Sequence, residues 1–383
     1  MDSMATVQAP ALAKKERSSN LELYRIIVML LIVAHHYVVN SGLTWIAPTI
    51  YESPLSPAAL FLFLFGAWGK IGINCFVLIS GYFMCKSQIT VKKFVKLLCE
   101  IEFYRIIIYG VFLVMGKETL SLANVVRVLF PVTSLESNFT ACYLIFFLCI
   151  PFLNVMVRNL SERAHIRLLL LSVFVHVLVD LLPLGGVTSN YVSWFIVLYF
   201  IASYIRLHPK RLFDNTAFWG WAALSSVLLS SASVILGAVG TYYTGRAMAY
   251  MFVVDCNAVL AVATGVSTFM FFKNVRVKPN RFINTVAAST FGVFCIHSNS
   301  EVMRRWLWQS VLKNVKVWQT EWMVVHAIVS VLGIFAVCTL IDWLRIKLIE
   351  TPLMKVWDKL WARISPRLKG AEDKICKRLH IEN

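Results

Sequence analysis

Residues 21–39 read LELYRIIVMLLIVAHHYVV, and this stretch decides the fold class of the chain. It is long and apolar enough for a helix that crosses a bilayer, which takes about 20 residues. Three basic side chains interrupt it, namely Arg25, His35 and His36. Because ionisable groups are costly inside a membrane, those found there are functional candidates by default.

Arg25 and His36 lie on one face of this predicted helix. Their separation corresponds to about 1100° of rotation, roughly 20° more than three full turns, and to about 16 Å of rise. Glu22 precedes Arg25 by one turn on that face, Asn40 follows His36 by one turn, and His35 points roughly 80° away. The face therefore carries a carboxylate, a guanidinium and an imidazole from one interface deep into the bilayer.

The composition agrees with a membrane protein. Of 383 residues, 58% are hydrophobic and only 15% are charged, which predicts an all-α, polytopic integral membrane protein. The nine cysteines are scattered, and neither a CxxC pair nor a His/Cys spacing typical of metal ligation occurs. The sequence therefore predicts neither disulfides nor a bound metal.

We predict about ten transmembrane helices. They cover residues 22–42, 66–85, 97–115, 139–157, 166–184, 190–207, 217–237, 248–272, 285–301 and 322–345. The predicted organisation is a cytoplasmic segment at 1–21, a transmembrane domain at 22–352 and a basic tail at 353–383. Apolar residues recur in the tail at helical intervals among Lys and Arg, which predicts either an amphipathic helix on an anionic leaflet or an ordinary solvated helix.

The loops separate by charge. One set contains KKER, KSQITVKKFVK, RNLSERAHIR, RLHPKR, KNVRVKPNR and the tail, whereas loops 43–57, 185–189 and 238–247 contain a single basic residue. The positive-inside rule then places both termini in the cytoplasm. The formal charge of +17 is thus explained by cytoplasmic retention and contact with membrane lipid, and we expect no nucleic-acid partner. Bases in the predicted outer segment 302–321 alternate with tryptophans, as in an interfacial helix.

A second histidine lies at a matching depth. His297 is about 13 residues into the ninth predicted helix, and His36 is about 14 residues into the first from the same side, so both imidazoles lie roughly 20 Å up. Both are therefore candidates to line one cavity that opens outward. The spacing leaves open whether the two helices are neighbours.

Several candidates also have structural explanations that the sequence leaves open. Arg25 and Glu22 fit an interface ion pair, and His297 fits a hydrogen-bonded structural histidine. Lys70, which with Asn74 is a candidate to contact an anionic acceptor, also fits a snorkelling anchor. Arg105 fits a pair with a nearby glutamate on its own helix.

Four stretches carry a resemblance to a known family. NLELYRIIVMLLIVAHHYVV at 20–39, GKIGINCFVLISGYF at 69–83, TFGVFCIH at 290–297 and IDWLRIKLIETP at 341–352 closely resemble the membrane acyltransferase-3 family. The resemblance covers about residues 18–352, and the HH and LISGYF elements look most like the branch found in capsule and exopolysaccharide clusters. It implies a bacterial cytoplasmic-membrane enzyme with about ten helices that O-acylates, usually O-acetylates, surface glycans.

The resemblance also implies roles for individual residues. His36 corresponds to the family's first-helix histidine and is the expected general base, and Arg25, on the same helix face, is the second catalytic candidate. Arg105 resembles the family's second basic position and is expected to bind substrate. The further substrate-binding candidates, which rest on residue type and depth, are His35 (more as an orienting or packing partner), His297, Lys70 and Asn74. The expected donor is acetyl-CoA, used as a co-substrate with no bound cofactor, and the expected acceptor is a polysaccharide or lipid-linked oligosaccharide.

The chemistry of acyl transfer suits these residue types. Deprotonating a sugar hydroxyl requires a base, and a neutral imidazole within hydrogen-bond reach contributes about 10²–10⁴-fold to the rate. His36 fits that role, and it also fits a covalent acyl carrier. Arg25 offers a fork of donors for a phosphate or carbonyl of acyl-CoA. A transporter or flippase is the alternative function, although matching halves with broken helices, typical of transporters, are not evident.

Overall fold

The computed structural model describes residues 18–134, 138–179 and 191–378, and within these ranges the chain is helical without a β-strand. The helices are α1 (Ser19–Val39), α2 (Pro57–Gly66), α3 (Gly69–Met84), α4 (Val91–Val114), α5 (Leu122–Leu129), α6 (Phe139–Asn159), α7 (Glu162–Val173), α8 (Tyr191–Leu207), α9 (Thr216–Thr244), α10 (Val259–Asn274), α11 (Arg281–Ala288), α12 (Thr290–His297), α13 (Glu301–Arg305), α14 (Asn314–Val317), α15 (Met323–Arg345) and α16 (Thr351–Arg378). The all-α prediction is confirmed for these residues.

Helix α1 occupies the centre of the protein. It packs against α2, α3, α10, α11, α12 and α15. Its buried residues lie on every side of the helix, and they include Tyr24, Val28, Val33 and Tyr37. Packing on every side makes the first helix the axis of the bundle.

Five helical segments in the described residues are long and apolar enough to cross a membrane. They are Ser19–Val39, Pro57–Met84, Phe139–Asn159, Thr216–Thr244 and an apolar part of Met323–Leu368. Two shorter apolar helices, Tyr191–Leu207 and Val259–Asn274, accompany them. The protein is therefore a polytopic membrane protein by length and composition, while the count of about ten stays a prediction.

Several predicted boundaries differ from the observed helices. The second predicted helix, 66–85, is preceded by the separate helix α2, which begins at Pro57. Ser56 is the N-cap of α2, and its side chain accepts a hydrogen bond from the Ala59 amide at 3.2 Å. The eighth, 248–272, is helical only from Val259, because residues 248–258 form turns that fold back onto α9. The last residues of the fifth, 166–184, lie outside the described range.

The ninth predicted helix, 285–301, is two short helices. Helix α11 ends and α12 begins at Ser289, which is fully buried. Helix α12 packs against α1, α4 and α15. This break aims α12 into the bundle, so that its C-terminal residue, His297, ends beside α1.

A buried ion cluster joins α4 to α15. The Arg345 guanidinium contacts Asp342 at 2.8 Å, Glu100 at 3.1 Å and Glu350 at 2.9 Å. The Tyr104 hydroxyl donates a hydrogen bond to Asp342 at 2.8 Å. A buried charge is tolerated only when it is paired, and removing one partner of such a group is strongly destabilising. The cluster thus ties the two helices together through electrostatics rather than apolar packing.

Helix α12 approaches the ion cluster closely enough to require a glycine. A Cβ at Gly292 would lie 2.1 Å from Oδ1 of Asp342 and 2.2 Å from its Cγ. The carboxylate cannot move aside without leaving Arg345 and Tyr104. Gly292 therefore sets the distance between α12 and α15.

We expect Gly292→Ala to lower the unfolding temperature of the detergent-solubilised protein by several degrees, because overpacking costs about 1–3 kcal/mol. Gly333→Ala on α15 is the matched control, since a Cβ there would meet nothing within 4 Å. Alanine at that exposed helical position should leave stability equal or slightly higher. Equal unfolding temperatures for the two variants would contradict the close approach of α12 and α15.

Candidate active site

A large cavity lies at the C-terminal end of α1. It has a volume of about 970 Å³ and is lined by residues from α1, α2, α3, α4, α5, α6, α8, α12 and α13. Its histidines and charged lining residues are His35, His36, Lys70, Arg105, Glu118, Arg127, Glu301 and Arg304. Cavities of this size accommodate substrates, and the two histidines make this one the candidate active site.

His36 is held in the cavity wall by His297. Nδ1 of His36 lies 2.9 Å from Nε2 of His297, and Nδ1 of His297 lies 2.6 Å from the Val293 carbonyl oxygen. His297 is completely buried and does not itself line the cavity. The two helices that the sequence left unrelated are therefore neighbours, joined by a hydrogen bond between imidazoles.

This chain of hydrogen bonds assigns the protons of two neutral imidazoles. A carbonyl oxygen only accepts, so Nδ1 of His297 carries a hydrogen and its Nε2 has a lone pair. Nδ1 of His36 must then donate to that lone pair, which leaves Nε2 of His36 as an acceptor. The geometry thus prepares His36 to accept a proton from a group in the cavity.

His35 is fixed by the adjacent helix pair. Its Nδ1 donates to the Gly66 carbonyl oxygen at 2.5 Å, and its ring packs on Gly69, where a Cβ would lie 2.1 Å from Cγ of His35. The absence of a side chain at Gly69 is what allows the α2–α3 break to approach α1. His35 also lines the cavity, so it is both a packing residue and a wall residue.

A second cavity lies nearer the N-terminal end of α1. It has a volume of about 320 Å³, and its lining includes Arg25, Ser80, Lys96, Glu100 and Tyr143. Nη1 of Arg25 contacts Oε2 of Glu22 at 2.9 Å, and its guanidinium lies 5.9 Å from the centre of the Phe76 ring. Arg25 and His36 therefore share a helix face, but they line different cavities.

An aromatic layer, formed by Phe76, Phe139, Tyr143, Phe291 and Phe294, separates the two cavities. Phe139 stacks on Tyr143 at 5.8 Å and meets Phe294 edge-on at 5.0 Å, while Phe76 stacks on Phe291 at 6.3 Å. Phe139 and Phe294 line the larger cavity and the other three line the smaller one, and the two cavities share no lining residue. Phe294 is also the ring next to His36, at 6.1 Å.

The remaining predicted substrate-binding residues fall into two groups. Lys70 and Arg105 line the larger cavity with His36, so Arg105 and Arg25 belong to different cavities. Asn74 is completely buried elsewhere: its amide donates to the Cys256 carbonyl at 2.6 Å and accepts from the Trp194 indole at 2.8 Å. The structure gives Asn74 a packing role between α3, α8 and α10, and its binding of substrate stays a prediction.

Sequence reasoning missed Arg304 and Tyr191 as cavity residues. Arg304 belongs to an outer segment that resembles an interfacial helix, and nothing in its spacing links it to His36. Tyr191 follows residues outside the described range and accepts a hydrogen bond from Lys70 at 2.6 Å. The signal that was present is chemical: the predicted outer segment 302–321 contains four bases, where the positive-inside rule expects few.

Comparison with known proteins places the chain in a family. A family model described as an acyltransferase domain, Acyl_transf_3, matches residues 18–343. Neither curated proteins nor solved structures give a significant match. The chain therefore belongs to the acyltransferase-3 family of membrane acyltransferases.

We expect Gly69→Ala to reduce acyl transfer at least tenfold, because the added methyl group displaces the His35 ring from the cavity wall. Gly110→Ala on α4 is the matched control, since a Cβ there would meet nothing within 4 Å. The measurement is the rate of product formation per amount of folded protein in membranes. Equal rates for the two variants would contradict a contribution of the His35 wall to the site.

Proposed function

We propose that this protein is an O-acyltransferase, acting as an O-acetyltransferase with acetyl-CoA, that modifies a hydroxyl of a cell-surface polysaccharide or its lipid-linked precursor. It would act in the bacterial cytoplasmic membrane with about ten helices and both termini in the cytoplasm. The observation that carries the proposal is the His36–His297 hydrogen bond, which leaves Nε2 of His36 as an acceptor in the wall of a large cavity.

The proposed reaction uses His36 as general base. The acceptor hydroxyl donates a hydrogen bond to Nε2 of His36, which takes the proton as the hydroxyl oxygen bonds to the thioester carbonyl carbon. The resulting tetrahedral intermediate collapses with cleavage of the C–S bond, and the departing sulfur recovers the proton from His36. Nε2 of His297 accepts from Nδ1 of His36 throughout, which stabilises the imidazolium and preserves the ring orientation.

The two cavities suggest separate entrances for the two substrates. With the N-terminal end of α1 on the cytoplasmic side, the cavity of Arg25 receives the donor and the cavity of His36 receives the acceptor. The rise between these residues, about 16 Å, is comparable to an extended pantetheine arm. The acyl end of the donor would have to pass the aromatic layer between them, so the layer must open during each cycle.

The deciding test is the O-acetyl content of the surface glycan, measured by proton NMR on cells that carry the wild type, His36→Ala or a deletion. We expect one acetyl signal to disappear in His36→Ala and in the deletion, because the base is lost, while the variant remains at wild-type abundance in the membrane. His208→Ala is the control, since His208 lines neither cavity.

Two outcomes would contradict the proposal. An unchanged glycan spectrum in the deletion would exclude a role in glycan acylation. A deletion that removes acetylated glycan from the surface while His36→Ala leaves it normal would favour a transporter or flippase, because export does not need a base at that position.

A second prediction concerns the donor. We expect Arg25→Gln to raise the KM for acetyl-CoA by about 10- to 100-fold, since a hydrogen bond to a charged group is worth about 1.5–3 kcal/mol. Michaelis curves against donor and against acceptor, recorded in membrane vesicles, separate this effect from a loss of acceptor binding. Arg281→Gln, an exposed arginine at the same end of the bundle, is the control for general surface charge.

The ion pair with Glu22 requires a further control, because Arg25→Gln leaves a buried carboxylate unpaired. The double variant Glu22→Gln/Arg25→Gln removes that charge. A KM for donor that stays high in the double variant supports donor binding by Arg25, whereas a return to the wild-type KM would show that the pair is structural.

A further inference from the structure

The cavity of His36 contains more positive than negative side chains. Lys70, Arg105, Arg127 and Arg304 line it, and their four charges come from α3, α4, α5 and α13. Glu118 and Glu301 are the carboxylates among its described lining residues. A cavity partly shielded from water strengthens such charges, so an excess of two cations favours anionic occupants.

The two carboxylates leave hydrogen-bond donors of these cations unused. Oε1 of Glu301 is turned toward Arg305, at 2.5 Å, whereas Oε2 of Glu301 is 3.9 Å from Arg304, beyond hydrogen-bond distance. Glu118 and Arg127 form no ion pair within the described residues. Arg304 and Arg127 therefore keep donors available to a ligand.

Lys70 is held in the cavity wall by a tyrosine. Its ammonium donates to the Tyr191 hydroxyl at 2.6 Å and lies 5.2 Å from the centre of that ring, so it is held in the cavity wall. Asp255 is within electrostatic range of Lys70 but forms no ion pair with it at 4 Å or less. A lysine has three donors, and the tyrosine uses one of them.

Arg105 is positioned by backbone rather than by a carboxylate. Its guanidinium donates to the carbonyl oxygens of Val128 (3.1 Å) and Arg127, which pins α4 to α5. Nη1 has no hydrogen-bond acceptor among the described residues, although the guanidinium lines the cavity. The side chain is thus oriented in advance, with donors left for an anion.

Two of these cations lie near the proposed base. Lys70 and Arg304 are both within electrostatic range of His36, and they reach it from different helices. A negatively charged group on the acceptor, bound between them, would place a neighbouring hydroxyl near Nε2 of His36. Lys70 and Arg304 are therefore placed to bind the substrate whose hydroxyl reacts at His36.

We propose that the acceptor is an anionic glycan, one that carries a carboxylate or a phosphate close to the acylated hydroxyl. The inference rests on the proposed function and names the substrate class of the same cavity. The carboxylate of a uronic acid and a phosphate ester share the chemistry that Lys70, Arg105 and Arg304 recognise, namely oxygen atoms that accept charged hydrogen bonds.

The test compares matched acceptors with membranes that contain the full chain and acetyl-CoA with a labelled acetyl group. The acceptors are the alkali-deacylated surface glycan of the cells that carry the protein, the same glycan after carboxyl reduction, and the same glycan after removal of phosphate with hydrogen fluoride. We expect one treatment to raise the acceptor KM at least tenfold. Carboxyl reduction identifies a uronic acid as the anion, and dephosphorylation identifies a phosphate.

Variants link the effect to the cavity. Lys70→Gln and Arg304→Gln should each raise the KM for the untreated glycan at least tenfold, and neither should change the KM for the neutralised glycan further. Arg246→Gln is the matched control, because Arg246 is exposed and does not line the cavity. The KM for acetyl-CoA should stay within twofold in all three variants.

Three results would overturn the inference. Equal KM values for untreated and neutralised glycans, or an acylated glycan that has no anionic group, would show that charge is not recognised. If Lys70→Gln and Arg304→Gln raise the KM for acetyl-CoA and leave the KM for the acceptor unchanged, the cations bind the donor. Labelling that does not depend on His36 would overturn the proposed function as well, whereas His36-dependent labelling of neutral glycan overturns only this inference.

Discussion

The hydrogen bond between His36 and His297 is the interaction on which the rest of the site depends. It exists only because α12 is a short helix that ends inside the bundle, beside the central helix α1. The Val293 carbonyl sets the tautomer of His297, and His297 in turn sets that of His36. One backbone oxygen, four residues before the second histidine, thus determines which nitrogen faces the cavity as an acceptor.

Two close contacts at glycines hold the helices around this hydrogen bond in position. On one side Gly292 lies against the carboxylate of Asp342, so an ion cluster supports α12 from α15. On the other side Gly69 lies against His35, so the break between α2 and α3 supports α1. Both contacts are close because a glycine has no side chain, and both therefore limit how far the histidines can move.

Polar groups along α1 are divided between two compartments. Arg25 faces a small cavity near the ion cluster, His36 faces a large cavity with an excess of cations, and an aromatic layer lies between them. Such a layer excludes water, which in the proposed reaction would protect the thioester from hydrolysis and strengthen charge interactions on either side. The cost is that reaction requires the layer to open, so side-chain motion of residues such as Phe139 becomes part of the proposed cycle.

The sequence by itself determined that the chain is an all-α membrane protein, that α1 carries Arg25 and His36 on one face, and that the chain resembles the acyltransferase-3 family. These properties follow from composition, helical periodicity and motif order, which are local along the chain. Only the tertiary structure decided that His36 and His297 touch, that Asn74 is a packing residue, and that Arg105 and Arg304 join the cavity of His36. The physical reason is that helix depth fixes height in a membrane, whereas the neighbours of a helix are set by long-range packing that no spacing within one helix encodes.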